Sequence, residues 1–151
     1  MPCARIVPPP EEVRMALEGG CFCGKVRYRA DDHTESVAHC HCKHCRASSG
    51  ATLMTWVEVP RASFAWTAEP PAAHQHDSDW PTEITRAFCG ECGTSLTYER
   101  ADSEFLDVSV GSLDDPASVS PAHHVYIDSK IPWLEMGDDL PRHARGRPES
   151  R

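Results

Sequence analysis

The sequence predicts one mainly β domain, and three observations predict it. Short runs alternate apolar with polar residues at a period of two, helical periodicity is nearly absent, and turn chemistry or charge interrupts the runs every few residues. At 151 residues, 40% of them hydrophobic, the chain can bury one modest core, and no second domain is expected.

Residues 1–17 are rich in proline (Pro2, Pro8, Pro9, Pro10) and read as an arm outside the core, with a short helix over 11–17 ended by Gly19 and Gly20. Strands are predicted at 25–29, with Val26 and Tyr28 on one face, and at 51–59, which is apolar and β-branched. Further strands are predicted at 63–66, 84–88, 94–99, 105–110 and 124–127. Two short helical pieces interrupt them. Residues 43–48 stop at Gly50, and 116–119 start with Pro116 after Asp114 and Asp115. Residues 69–81, with three prolines around His74 and His76, read as a surface loop, and the tail 137–151 is too polar to pack far. The four tryptophans, Trp56, Trp66, Trp80 and Trp133, and Tyr126 are expected in the core or a pocket wall.

Charge removes some partners. Fifteen Lys and Arg face 23 Asp and Glu, a net charge of −8, and no basic stretch could track a phosphate backbone, so nucleic acid is not expected. The sequence shows neither a secretory signal nor a run of about 20 apolar residues, which points to a cytoplasmic protein without a membrane partner. In a reducing compartment eight cysteines point to metal rather than disulfides. Cys21 and Cys23, like Cys40 and Cys42, are also too close along the chain to bridge each other readily.

The late cluster, Phe88-Cys89-Gly90-Glu91-Cys92-Gly93, is a knuckle in which glycine after each cysteine lets the backbone curl and aim amides at sulfur. It supplies half of a zinc site. Cys21 and Cys23, followed by Gly24, can supply the other half and close a tetrahedron with bonds of roughly 2.3 Å. Such a site has no vacancy and works as a staple, on the order of 10 kcal/mol in apparent folding free energy. The spacing alone also permits Cys21 and Cys23 to join part of the middle cluster. That cluster, His39-Cys40-His41-Cys42-Lys43-His44-Cys45, places three cysteines within six residues, enough to hold one cation from one side and leave a fourth position. His39, His41 or His44 could fill that position and make the site structural. His41 is the least suited, because an extended backbone would turn it away from its neighbours. His123 and His124 are candidates to approach the open site as a base, Cys3 reads as a free thiol in the arm, and Glu91 and Lys43 as solvated.

Three ordered motifs carry a family resemblance: Gly19-Gly20-Cys21-Phe22-Cys23-Gly24-Lys25-Val26-Arg27-Tyr28, then His39-Cys40-His41-Cys42 with Cys45-Arg46 and Ser49-Gly50, then Arg86-Ala87-Phe88-Cys89 with Cys92-Gly93-Thr94. With Gly111-Ser112-Leu113-Asp114 and Lys130-Ile131-Pro132-Trp133, the sequence over 18–136 resembles the glutathione-dependent formaldehyde-activating enzyme family, also called the centromere protein V domain family. The resemblance implies an Mss4-like fold of small stacked antiparallel sheets around zinc sites, with an arm at 1–17 and a tail at 137–151. It implies two zinc ions per chain: a structural one on Cys21, Cys23, Cys89 and Cys92, and a catalytic one on Cys40, Cys42 and Cys45. It also implies carbon-sulfur lyase chemistry on a small thiol or thiol adduct, glutathione with formaldehyde being the family's proposed pair. No residue outside the metal ligands matches a glutathione-binding motif. The rival from another class is a non-catalytic scaffold with two structural zincs. An iron-loaded electron carrier is a third reading, which the metal content of protein purified without added zinc would settle.

Overall fold

The computed structural model describes residues 14–77 and 81–147. Among them, three strands, β1 (Leu17–Gly20), β2 (Arg27–Ala30) and β5 (Phe64–Trp66), form an antiparallel sheet in the order β1-β2-β5. A larger sheet runs β10-β3-β4-β9-β8-β7-β6, from β3 (Val37–Cys40), β4 (Met54–Pro60), β6 (Ala72–His76), β7 (Ile84–Phe88), β8 (Ser95–Arg100), β9 (Phe105–Ser109) and β10 (His123–Val125). Its pairs are antiparallel except β10 with β3. One α-helix, α1 (Lys43–Ser49), ends at Gly50 in the left-handed region, as the glycine predicted. The expectation of a mainly β chain with stacked sheets and few short helices holds, although one sheet has seven strands and contains a parallel pair.

The period of two assigns the two faces of the large sheet different work. Val57 and Val59 of β4 and Leu106 and Val108 of β9 point toward the small sheet and meet Tyr28, Ala30 and Leu17 there, forming the main core. Each such side chain contributes roughly 1.5–3 kcal/mol on burial. The alternate residues of β4, Met54 and Trp56, point the other way and cluster with Cys40 and Cys45. A β-bulge opposite Ala87 and Phe88 lets Leu96 join the main core while Tyr98, two residues on, packs with Trp56's cluster.

Several expectations are corrected. Of the helix at 11–17, residues 11–13 and Cys3 lie outside the described residues; residues 14–16 are not helical, and Leu17 opens a strand, 3% exposed in the main core. Gly19 is there for close approach rather than helix termination: a Cβ at Gly19 would lie 2.3 Å from Tyr28 Oη and 2.4 Å from the Ser112 carbonyl oxygen. The loop at 69–81 contains β6, whose Ala-Ala-His-Gln-His sequence has little strand propensity of its own; pairing with β7 imposes the conformation. Residues 78–80, with Trp80, lie outside the described residues. The strand at 124–127 stops early, because Tyr126 adopts φ 57° and Ile127–Ser129 form a 3-10 turn. Trp133 is 70% exposed, not core. The polar tail packs after all: His124 N–H donates to the Pro141 carbonyl at 2.8 Å, and His143 N–H to the His124 carbonyl at 2.9 Å.

Candidate metal centres

Two turns build the first centre. Cys21 and Cys23 sit in the connection between β1 and β2, and Cys89 and Cys92 in the connection between β7 and β8. Gly24 (φ 81°) and Gly93 (φ 76°) supply the left-handed residues that fold each turn back on itself, whereas Gly90 does not need them. The Cys21 sulfur accepts the Val26 N–H at 3.2 Å, and Thr94 Oγ1 receives the Phe22 N–H at 3.0 Å, so the second turn is tied to the first. Lys25 and Glu91 pair across the turns at 3.2 Å on the exposed surface, where Glu91 stays solvated as expected.

The four sulfurs all lie within 4.8 Å of one another. Cys21 Sγ is 3.5 Å from Cys23 Sγ, which is 3.7 Å from Cys89 Sγ. Four thiolates around zinc at about 2.3 Å would stand roughly 3.8 Å apart, so the donor set fits that ion in both chemistry and spacing. The Thr94 hydroxyl and N–H lower the Cys92 thiol to about 5, which favours the thiolate a metal needs. All seven described cysteines are free.

The second cluster lies on the opposite face of the large sheet. Cys40 ends β3, Cys42 precedes α1, and Cys45 lies within it; the buried pair Cys40 and Cys45 have sulfurs 3.6 Å apart. Hydrogen bonds from Cys40 and Cys45 hold the Cys42 thiol far below its ordinary range, while the same contacts and burial push Cys40 far above. The trio is nevertheless looser than the quartet: among the described residues, the quartet is the group whose ligand atoms all fall within 4.8 Å. All three cysteines line one cavity, with Trp56, Tyr98 and Tyr126 as aromatic wall.

The cavity floor is a row across the sheet that the sequence did not reveal. Register places Arg86 opposite Tyr98, Tyr98 opposite Asp107, and Asp107 opposite Glu58. Arg86 is 6% exposed; its Nη2 approaches Cys45 Sγ at 3.7 Å, its Nε donates to His76 Nε2 at 3.1 Å, its guanidinium lies 4.9 Å from the Tyr98 ring centre, and Nη1 has no hydrogen-bond partner. Burial, reinforced by Glu58, raises Asp107 to about 7. Tyr126 is the non-glycine residue with positive φ among those described, an uncommon conformation for a bulky side chain.

The histidines divide. His41 is fully buried and turned to His124, as the alternation suggested, so its ring is occupied away from the other two. His39 Nδ1 lies 2.8 Å from Thr55 Oγ1. His44 and His123 line the cavity, and burial lowers His123 to about 4. His124 is engaged by His41 and Asp138.

Among the described residues, no helix is long and apolar enough to cross a membrane. A curated protein of Halomonas elongata with the provisional name of a glutathione-dependent formaldehyde-activating enzyme is 25% identical over 134 residues, covering 81% of this chain and 82% of its own length. A solved structure of a Rhodobacter sphaeroides protein superposes with a TM-score of 0.52 at 21% identity, covering 64% of this chain and 87% of that one, which supports the fold alone. The profile of the family described as "Glutathione-dependent formaldehyde-activating enzyme" matches residues 16–129, the segment that carries both cysteine clusters, and the chain belongs to that family.

Proposed function

We propose that this chain is a zinc-dependent enzyme that forms or breaks a carbon-sulfur bond on a small thiol or thiol adduct, glutathione with formaldehyde being the pair its family name points to. In this reading Cys21, Cys23, Cys89 and Cys92 hold a structural ion and Cys40, Cys42 and Cys45 a catalytic one. The observation that carries it is the cavity opening onto the trio, whose floor presents a buried arginine to a ligand sulfur.

Zinc held by three thiolates would form a site of net negative charge and act as a mild Lewis acid, favouring the thiolate form of an incoming thiol while leaving it nucleophilic. The chain's own residues do the rest. Arg86 offsets the negative charge that three thiolates concentrate near Cys45. Trp56, Tyr98 and Tyr126 give the substrate's apolar parts a wall. Addition joins the thiol sulfur to the aldehyde carbon and moves the thiol proton to the aldehyde oxygen; the reverse step returns it. A thiol-adduct activity screen on Cys42→Ser tests this: activity should disappear while the fold and one equivalent of zinc remain. Full activity in that variant would refute the assignment.

A further inference from the structure

His41 lies between two cysteines of the trio, and its backbone and ring are fastened to the last third of the chain. Its N–H donates to the Val125 carbonyl at 3.0 Å. Its carbonyl accepts from Arg46 Nη1, which also donates to the Ser129 carbonyl at 2.7 Å. Its ring, fully buried, places Nε2 3.0 Å from His124 Nδ1.

His124 is itself buried completely and packs against both His39 and His41, with ring centres 5.0 and 5.3 Å away. Its Nε2 lies 3.0 and 3.2 Å from the two carboxylate oxygens of Asp138. Asp138 accepts from Nε2–H, which in a neutral ring leaves Nδ1 to accept from His41 Nε2–H. Asp138 Oδ1 also receives the Leu140 N–H at 3.0 Å, and residues 141–145 then run beside β10, with Tyr126 N–H donating to the Arg145 carbonyl at 3.0 Å.

We infer that the segment 138–145 is a clamp for the cysteine trio, with Asp138 a positioning residue that acts through His124 and His41 on the link between Cys40 and Cys42. The reason is directional. His41 faces the buried histidines while Cys40 and Cys42 line the cavity, so fixing the histidine ring on one side fixes the two sulfurs on the other. Groups that hydrogen-bond a metal ligand directly commonly matter about ten- to a hundredfold in metal affinity; Asp138 acts through two further residues, which places its effect at or below the lower end of that range. Sequence gives little warning of this: Asp138 sits in a polar tail 96 residues from Cys42.

The effect on metal rests on the reading that the trio binds an ion, so the test has two arms on full-length protein. The first follows alkylation of each cysteine by mass spectrometry in protein carrying one equivalent of zinc. The second measures cobalt affinity at the two centres separately by chelator competition. Asp138→Ala should raise alkylation of Cys40 and Cys42 several-fold and weaken the trio's affinity several-fold, up to about 10-fold, leaving the quartet unchanged. Asp138→Asn, which keeps an acceptor oxygen, should fall between. Wild-type alkylation and affinity in Asp138→Ala would overturn the clamp, and so would equal weakening of both centres, which would mean general loosening. If the wild-type trio took up no metal, the proposed function would fall, while the alkylation arm would still decide the clamp.

Discussion

Arg86 Nη2 lies 3.7 Å from the sulfur of Cys45, joining β7 to α1 across 41 residues of sequence. A buried guanidinium beside a thiolate favours the ionised sulfur that a metal requires. Arg86→Leu should therefore weaken metal binding at the trio and lower carbon-sulfur bond activity at least tenfold, with the quartet's affinity unchanged. Arg86→Lys should restore part of the affinity, since it returns the charge without the planar fork. Site-resolved metal titration beside kcat/KM checks both.

Asp107 gives a pH dependence whose sign follows from its neighbours. Burial comes first and Glu58 opposite comes second, and together they raise the folded pKa to about 7. Below about pH 4 both folded and unfolded forms are protonated, and the group has no effect on stability. Between about pH 4 and 7 the unfolded chain ionises first, so stability falls as pH rises and the loss is complete above 7. Asp107→Asn should match the wild type at pH 4 and exceed it at pH 8 by about 1–2 kcal/mol, allowing for the partial exposure of the side chain. Denaturant melts at the two pH values measure it.

Gly19 leaves no room for a side chain, because its would-be Cβ meets Tyr28 Oη and the Ser112 carbonyl. Tyr28 is fixed in turn by a 2.7 Å hydrogen bond to Ser112 Oγ, so it cannot easily give way. Gly19→Ala should cost about 1–3 kcal/mol or more in urea unfolding. Gly24→Ala tests a different effect: a Cβ there meets nothing within 4 Å, but its φ of 81° disfavours one, and a smaller loss is expected.

In the proposed reading, Cys89→Ser removes one of four ligands from an ion that would tie the β1–β2 turn to the β7–β8 turn. On the order of 10 kcal/mol of apparent folding free energy can rest on such a site, comparable to the whole stability of a small domain. The variant should lose cooperative thermal unfolding, and excess chelator should do the same to the wild type; circular dichroism during heating reports both.

Ligand spacing is local, so the half-sites Cys21 with Cys23 and Cys89 with Cys92, and the trio Cys40, Cys42 and Cys45, declare themselves in the sequence. The pairing of the two halves across 66 residues does not: spacing leaves it open, and the fold brings those four sulfurs together. Helix α1 and its stop at Gly50 are legible because their signals are local as well. What surrounds the trio is not, since it depends on strand register. Arg86 reaches the cavity because β7, β8, β9 and β4 align it with Tyr98, Asp107 and Glu58, and no local pattern encodes that alignment. Strand β6 escapes sequence reading likewise, because its partner imposes an extended conformation that its own residues do not favour, and the docking of residues 141–145 escapes because it rests on backbone hydrogen bonds to residues 124–128.

Cobalt substitution followed by titration with glutathione tests the open trio most directly. Visible absorption should first show two tetrahedral thiolate-rich centres, and thiol addition should then shift the bands of one of them while leaving the other untouched. Bands that stay constant at saturating thiol would mean that no substrate sulfur reaches the Cys40, Cys42 and Cys45 centre, and would contradict the account.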